Sequence, residues 1–193
     1  MLTLSKGPVC PSDAIGRSDA ALIMRSAMAD GTLLQPSRPA TMIDTAFVAK
    51  ALGAAPSARH LAAGGLSRPS GQVWFAPSRV AGRTFGSLLV ADLASDHPLM
   101  PAELGLHGRL ADGLLAVEAN ASSTAVLWGV GLAGAPPPLP LRACGRYDFQ
   151  LFSLAAREAN GWALVGEVGT KWVAASPARF AQARLGSGTR TPA

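Results

Sequence analysis

The sequence predicts a mainly β protein with a short αβ start: one strand-and-helix unit followed by an antiparallel β-sandwich. Three observations carry this. Gly (21 residues) and Pro (15) are over-used in the 193-residue chain, which favours many turns and short strands over long helices. Short apolar runs recur about every ten residues between Gly/Pro turns, the spacing of a sandwich. The clearest helical pattern stands near the start, from Ala20 to Ala29. A hydrophobic fraction of 49% with 15% charged residues is that of a chain able to bury a core.

In order, Pro8-Val9-Cys10 reads as a strand and Ala14-Ile15-Gly16-Arg17 as a turn. Ser18 is a good helix N-cap, Asp19 suits the positive end of the helix dipole, and Asp30-Gly31 is a good stop. Thr32 to Val48 is expected to be extended around Pro36 and Pro39, and Ala49 to Ser70 a loop with at most one helical turn. Gln72 to Ala76 is a strand ending at Pro77, and Thr84 to Leu93 another, closed by Asp96-His97-Pro98. Met100 to Leu106 reads as an extended link, Leu114 to Ala119 and Thr124 to Leu132 as a hairpin, and Ala135 to Pro140 as a Pro-rich turn. Tyr147 to Leu154 alternates and then shifts phase, as an edge or bulged strand does. Asn160-Gly161 should turn it into a strand over Trp162 to Val168, and Gly169-Thr170 should lead on to Lys171-Trp172-Val173. The domains expected are 1–35 as the αβ start, 36–70 as a linker, 71–185 as the sandwich and 186–193 as a fraying tail.

Lys and Arg number 17 against 12 Asp and Glu, a net charge of +5, but the arginines are scattered singly along the chain. That pattern argues against a nucleic-acid partner, which wants its positive charge on one face. Cys10 and Cys144 read as small buried hydrophobes, with a disulfide left open. The first residues lack a basic leader and no apolar run is long enough for a bilayer, so a soluble, cytoplasmic protein without a membrane partner is expected. His60, His97 and His107 lack metal-ligand spacing, and the Gly64-Gly65 and Gly129-Val130-Gly131 stretches precede no helix; neither metal nor cofactor is expected. Trp74, Trp128, Trp162 and Trp172 lie in apolar runs, which favours core packing over stacking on sugar rings. Asn120-Ala121-Ser122 fits a glycosylation sequon but reads as a turn.

The stretch Gly7-Pro8-Val9, Ser12-Asp13, Gly16, the helix ending in Asp30-Gly31, Leu34, Arg38-Pro39, Asp44 and Phe47 resembles the end of the catalytic barrel in α-galactosidases of the raffinose synthase and seed imbibition protein type. The resemblance is dense over Gly7 to Phe47 and only architectural beyond. Ala14-Ile15 stands where the family commonly has Lys-Pro. It implies that residues 1–35 are the last strand and helix of a (β/α) barrel, with a β-sandwich behind. It also implies that Ser12 and Asp13 sit at the rim of a sugar pocket and bind an oligosaccharide substrate.

Retaining glycosidases need two carboxyl groups, a nucleophile and an acid/base. In the resembled family both lie on earlier barrel strands, so no catalytic residue is assigned here, and the chain alone is not expected to hydrolyse or transfer α-galactosyl groups. An upstream barrel domain or a second copy are the partners this implies. Arg38 and Asp44 could pair across the Pro-rich turn. The alternative is a stand-alone β-sandwich module that binds glycans or protein, or serves as structure. The two differ at the start of the chain. An enzyme tail should expose an apolar edge along Pro8 to Cys10 and on the Ala21–Met28 helix face, and a self-contained module should cover both.

Overall fold

The computed structural model describes residues 2–11, 13–52, 69–105, 113–119, 125–128, 138–158 and 161–180. Among them the chain is mainly β, with every strand pair antiparallel. Strands β1 (Thr41–Met42), β2 (Gln72–Val80), β3 (Arg83–Leu93), β5 (Leu114–Glu118), β6 (Ala125–Trp128) and β8 (Cys144–Ala156) form one six-stranded sheet in the order β1-β2-β3-β8-β5-β6. β4 (His97–Leu99) and β7 (Leu139–Leu141) make a separate two-stranded ribbon. The α-helices are α1 (Ala20–Met24) and α2 (Asp44–Leu52), and short 3-10 helices span Leu2–Ser5 and Pro101–Leu104, the latter where an extended link is expected.

β2 and β3 are longer than their apolar runs suggest and join directly. Val80 pairs with Arg83, so Ala81 and Gly82 form a two-residue loop, with φ +49° and +79°. Both central residues lie in the left-handed region, as a type I′ hairpin turn requires. Pro77 does not end β2. Its carbonyl accepts from Arg38 N–H at 3.2 Å, on the side away from β3, so its missing N–H breaks no β2–β3 bond.

β8 is bulged, as its shift of phase suggests, but it is a central strand rather than an edge. Ala91 pairs with Phe149 and Leu93 with Cys144, so residues 145–148 loop out of register against Asp92. Beyond the bulge, Gln150 to Ala155 are buried without a break. A strand reads this way when both faces of its sheet are covered. One face, bearing Val73, Phe75, Leu88, Val90, Leu114 and Phe152, packs with Ile43, with Ala46 of α2 and with the ribbon's Leu99, Leu139 and Leu141. The other face is covered by irregular chain: Leu4 and Val173 pack on Ala76, and Ala175, Val165 and Phe180 pack with Val80, Phe85 and Ala155.

The second layer of a sandwich is therefore small on one face and irregular on the other. The β5–β6 hairpin forms as expected, Leu114 pairing with Trp128 and Val117 with Ala125. His97-Pro98 and Leu139-Pro140 are not turns but lie in the two strands of the ribbon, with Pro98 opposite Pro140, while residues 135–137 of the expected turn lie outside the described residues. Two prolines can face each other only where the pair exchanges no backbone hydrogen bonds. His97, Leu99, Leu139 and Leu141 point into the core on alternate positions, and this burial holds the ribbon down. α2 replaces part of the expected extended segment. No proline follows Pro39 in it, and Asp44 and Lys50 complement the two ends of the helix dipole. Residues 53–68 of the expected loop, and 181–193 with the tail, lie outside the described residues.

The expected strand over Trp162 to Val168 is also absent. Gly161 N–H donates to the Glu158 carbonyl (2.8 Å), Glu158 N–H to the Trp162 carbonyl (2.7 Å), and Arg157 bridges Ala163, after which pairing ends. Asn160 lies outside the described residues. The chain leaves the sheet because Gly166 turns it, at φ +76°, against Ala174. The second turn forms as expected around Gly169, with Lys171 N–H bonded to the Glu167 carbonyl at 3.0 Å.

Candidate functional site

At the start of the chain Pro8-Val9-Cys10 is irregular rather than a strand, since none of its backbone groups joins the sheet. Ser12 lies outside the described residues. Asp13 is exposed, immediately before the turn in which Arg17 N–H donates to the Ala14 carbonyl (2.9 Å) with Gly16 at φ +74°. The expected turn is thus present.

The helix is shorter than expected, Ala20–Met24, and its cap is Asp19 rather than Ser18: the Asp19 carboxylate accepts from Leu22 N–H at 3.0 Å. It stops early because the next residues are used elsewhere. Leu34 N–H bonds the Ser26 carbonyl at 2.8 Å, Ala27 bridges Leu33, and Leu34 is fully buried. Gly31, at φ +87°, turns this small loop instead of ending the helix, and Asp30 accepts from Thr32 N–H at 2.9 Å. That bond holds the Asp30 carboxyl below its usual range.

α1 buries no residue. Ile15 and Leu22 are exposed, Met24 is 38% exposed, and the first buried residues of the stretch are Ser26 and Ala27, with 29–32 exposed again. It is anchored from its far end by the C-terminal turn. Lys171 Nζ donates to the carbonyls of Met24 (2.7 Å) and Ala27 (2.6 Å), placing a cation at the negative end of the helix. The Arg25 guanidinium lies 3.6 Å from the centroid of the Trp172 ring, which in turn tilts against Phe149.

The arginines, scattered in sequence, converge in space. A cavity of about 930 Å³ is lined by Ser37, Arg38, Arg79, Arg83, Arg157 and Glu158, with Phe75 and Leu104 among its apolar walls and Thr41 and Thr84 adding hydroxyls. Arg79 and Arg83 flank the β2–β3 turn, and Arg157 follows the end of β8. Arg38 is brought to them because Ser37-Arg38 docks on β2: Ser37 Oγ accepts from Arg79 N–H (2.7 Å) beside the Arg38–Pro77 bond. Glu158 pairs with Arg83. The guanidinium groups of Arg38 and Arg79 make no hydrogen bond to the described residues, and Arg38 does not pair with Asp44. Four guanidinium groups against one carboxylate leave the cavity with a net charge of about three, positive. No sequence motif announces this cluster; the signal that could have found it is arginine on either side of a two-residue hairpin turn.

A second polar group is buried under the ribbon. Glu103 accepts from Thr45 Oγ1 (2.7 Å) and Met100 N–H (2.8 Å), and His97 Nε2 stands 3.6 Å away, an electrostatic contact rather than a hydrogen bond. Burial pushes the Glu103 carboxyl up, but His97, Met100 and Thr45 together outweigh it and hold it below its usual range. The group ties α2 to β4 and sits in the core, away from any opening, so its work is structural.

The expectation that the tryptophans are core residues does not hold. Trp162 is 74% exposed, while Trp74 and Trp172 are half-buried, and the Trp128 side chain lies outside the described residues. Trp162 is exposed because the strand expected to bury it does not form. Cys10 is exposed and Cys144 buried, and both are free thiols. Among the described residues no group of three His, Cys, Asp or Glu could hold a metal ion, and no helix is long and apolar enough to cross a membrane. His60 and His107 lie outside those residues. No protein-family model, curated protein or solved structure matches this chain.

Proposed function

We propose that the chain is the C-terminal, sheet-built part of a carbohydrate-active enzyme of the α-galactosidase and raffinose synthase type, with Ser12 and Asp13 contributing to the rim of an oligosaccharide pocket. One observation carries the reading. The stretch that resembles the last barrel spoke leaves its apolar residues uncovered: no residue of α1 is buried, and Ile15, Leu22 and Met24 are exposed. Apolar residues left exposed in this way fit a neighbouring barrel helix and strand, whether carried on the same chain or on another.

In this reading the β-domain supports the spoke through Lys171 and Trp172, and the two carboxyl groups of the reaction come from the barrel. The purified chain should leave aryl α-galactosides and raffinose untouched, and the DNA immediately upstream of the Met1 codon should encode a barrel in frame. Turnover above background, or unrelated sequence upstream, would remove the assignment.

The exposed Trp162 and Tyr147 favour a second reading, a glycan-binding module acting through aromatic faces. It predicts raffinose binding by calorimetry that is lost in Trp162→Ala.

A further inference from the structure

We infer that the arginine-lined cavity at the β2–β3 turn binds the phosphoryl group of a small hydroxylated molecule, a sugar phosphate in chemical class. Ser37, Arg38 and Thr41 of the lining fall within the Gly7–Phe47 stretch, but neither Ser12 nor Asp13 lines the cavity, so the inference uses none of the residues that the barrel reading places at a sugar pocket.

The argument begins with charge. Like charges brought together repel, and a fold gathers four guanidinium groups about one carboxylate at a cost that a bound anion would offset. Glu158 neutralises Arg83, which leaves Arg38 and Arg79 to face the cavity with their donors unused among the described residues. Their backbones are locked together by the Ser37 hydroxyl, which accepts from Arg79 N–H at 2.7 Å and lies 3.4 Å from the Arg79 carbonyl. Two guanidinium forks held on adjacent chain segments suit a tetrahedral dianion, whose oxygens can take paired N–H donors from each.

The rest of the lining chooses the class of ligand. A bare anion needs no more than the arginines, yet the cavity holds about 930 Å³. Phe75 and Leu104 offer apolar wall, and the hydroxyls of Thr41 and Thr84 make no hydrogen bond to the described residues. Apolar faces alternating with hydroxyl partners match a pyranose ring, which has both. A nucleic-acid backbone would instead want a basic stripe running across the surface, whereas these charges converge on one hollow.

The test is titration calorimetry of the full chain at low ionic strength with three probes: glucose 1-phosphate, inorganic phosphate and glucose. The expected result is binding of the ester that weakens as salt rises, at least tenfold weaker binding of phosphate, and none of glucose. The Arg38→Ala, Arg79→Ala double variant should weaken the ester at least 30-fold, because it removes two charge-assisted contacts. Both side chains are exposed, so this variant should keep the parent's thermal midpoint and circular dichroism. Thr84→Val should weaken the ester and leave phosphate unchanged. No binding of glucose 1-phosphate, equal binding of inorganic phosphate, or an unchanged affinity in the folded double variant would each overturn the assignment.

Discussion

Two residues show most sharply how single positions are tied to the fold. Gly166 has φ +76°, and a β-carbon there would stand 2.1 Å from the Ala174 carbonyl oxygen. That oxygen already accepts from Glu167 N–H at 2.9 Å, so it cannot move aside without breaking the contact that folds the C-terminal segment back on itself. Gly166→Ala should therefore cost about 2–4 kcal/mol in denaturant unfolding, strain and lost packing together. Ala81 is the opposite case. It occupies the first central position of a type I′ turn at φ +49°, where asparagine and glycine are at ease and alanine is not. Ala81→Asn should stabilise the chain by roughly 0.5–1 kcal/mol, read as a rise of about 1–4 °C in thermal midpoint. Neither position stands out in the sequence, because a glycine or alanine shows its backbone angle only once its neighbours are placed.

At the scale of elements, burial overrides local preference. Pro98 and Pro140 look like turn residues, yet each sits in the middle of a ribbon strand whose flanking residues are buried. Pro77 sits inside β2, which the apolar run Gln72 to Ala76 only begins. The chain does reverse at Gly161, but the strand beyond it does not form, and the apolar content of Ala163 and Val165 is spent covering β3 and β8 instead.

The join between α2 and β4 gives an element-scale prediction. Glu103 faces His97, Thr45 and the Met100 N–H, and its carboxyl is held below the usual value of 4.5. A carboxyl depressed in the folded state stabilises the fold when ionised. Its contribution should be complete above about pH 4.5 and lost as pH falls through the lower folded value. Glu103→Gln should flatten that acid limb in a series of thermal melts while costing about 1–3 kcal/mol at neutral pH, where the buried donors lose their charged acceptor. A limb of unchanged steepness would place the acid sensitivity elsewhere.

For the whole molecule, the sheet is a shared wall with unlike coverings. The α2-and-ribbon side is the main core, and the reverse side is closed by Leu4 and the segment from Ala163 to Phe180. The two thiols report on this division. Cys144 is in the main core and Cys10 on the uncovered start of the chain, so a thiol reagent should label one cysteine per chain in the native state and two in denaturant. Two labelled rapidly under native conditions would mean that the bulge in β8 opens, since Cys144 lies at its edge.

Some of this was legible before any coordinates. The β class, the β5–β6 hairpin, the central parts of β2, β3 and β8, the bulge in β8 and the turns at Gly16 and Gly169 follow from apolar period and turn chemistry, which act over a few residues. What tertiary structure decided is everything that depends on residues far apart in the chain. It placed β8 between β3 and β5, made a ribbon of two proline-bearing segments, ended α1 early to bury Leu34, and drew Arg38, Arg79, Arg83 and Arg157 around one hollow. The physical reason is that periodicity says which side chains must leave water, while which surfaces meet is settled by the packing of the whole core.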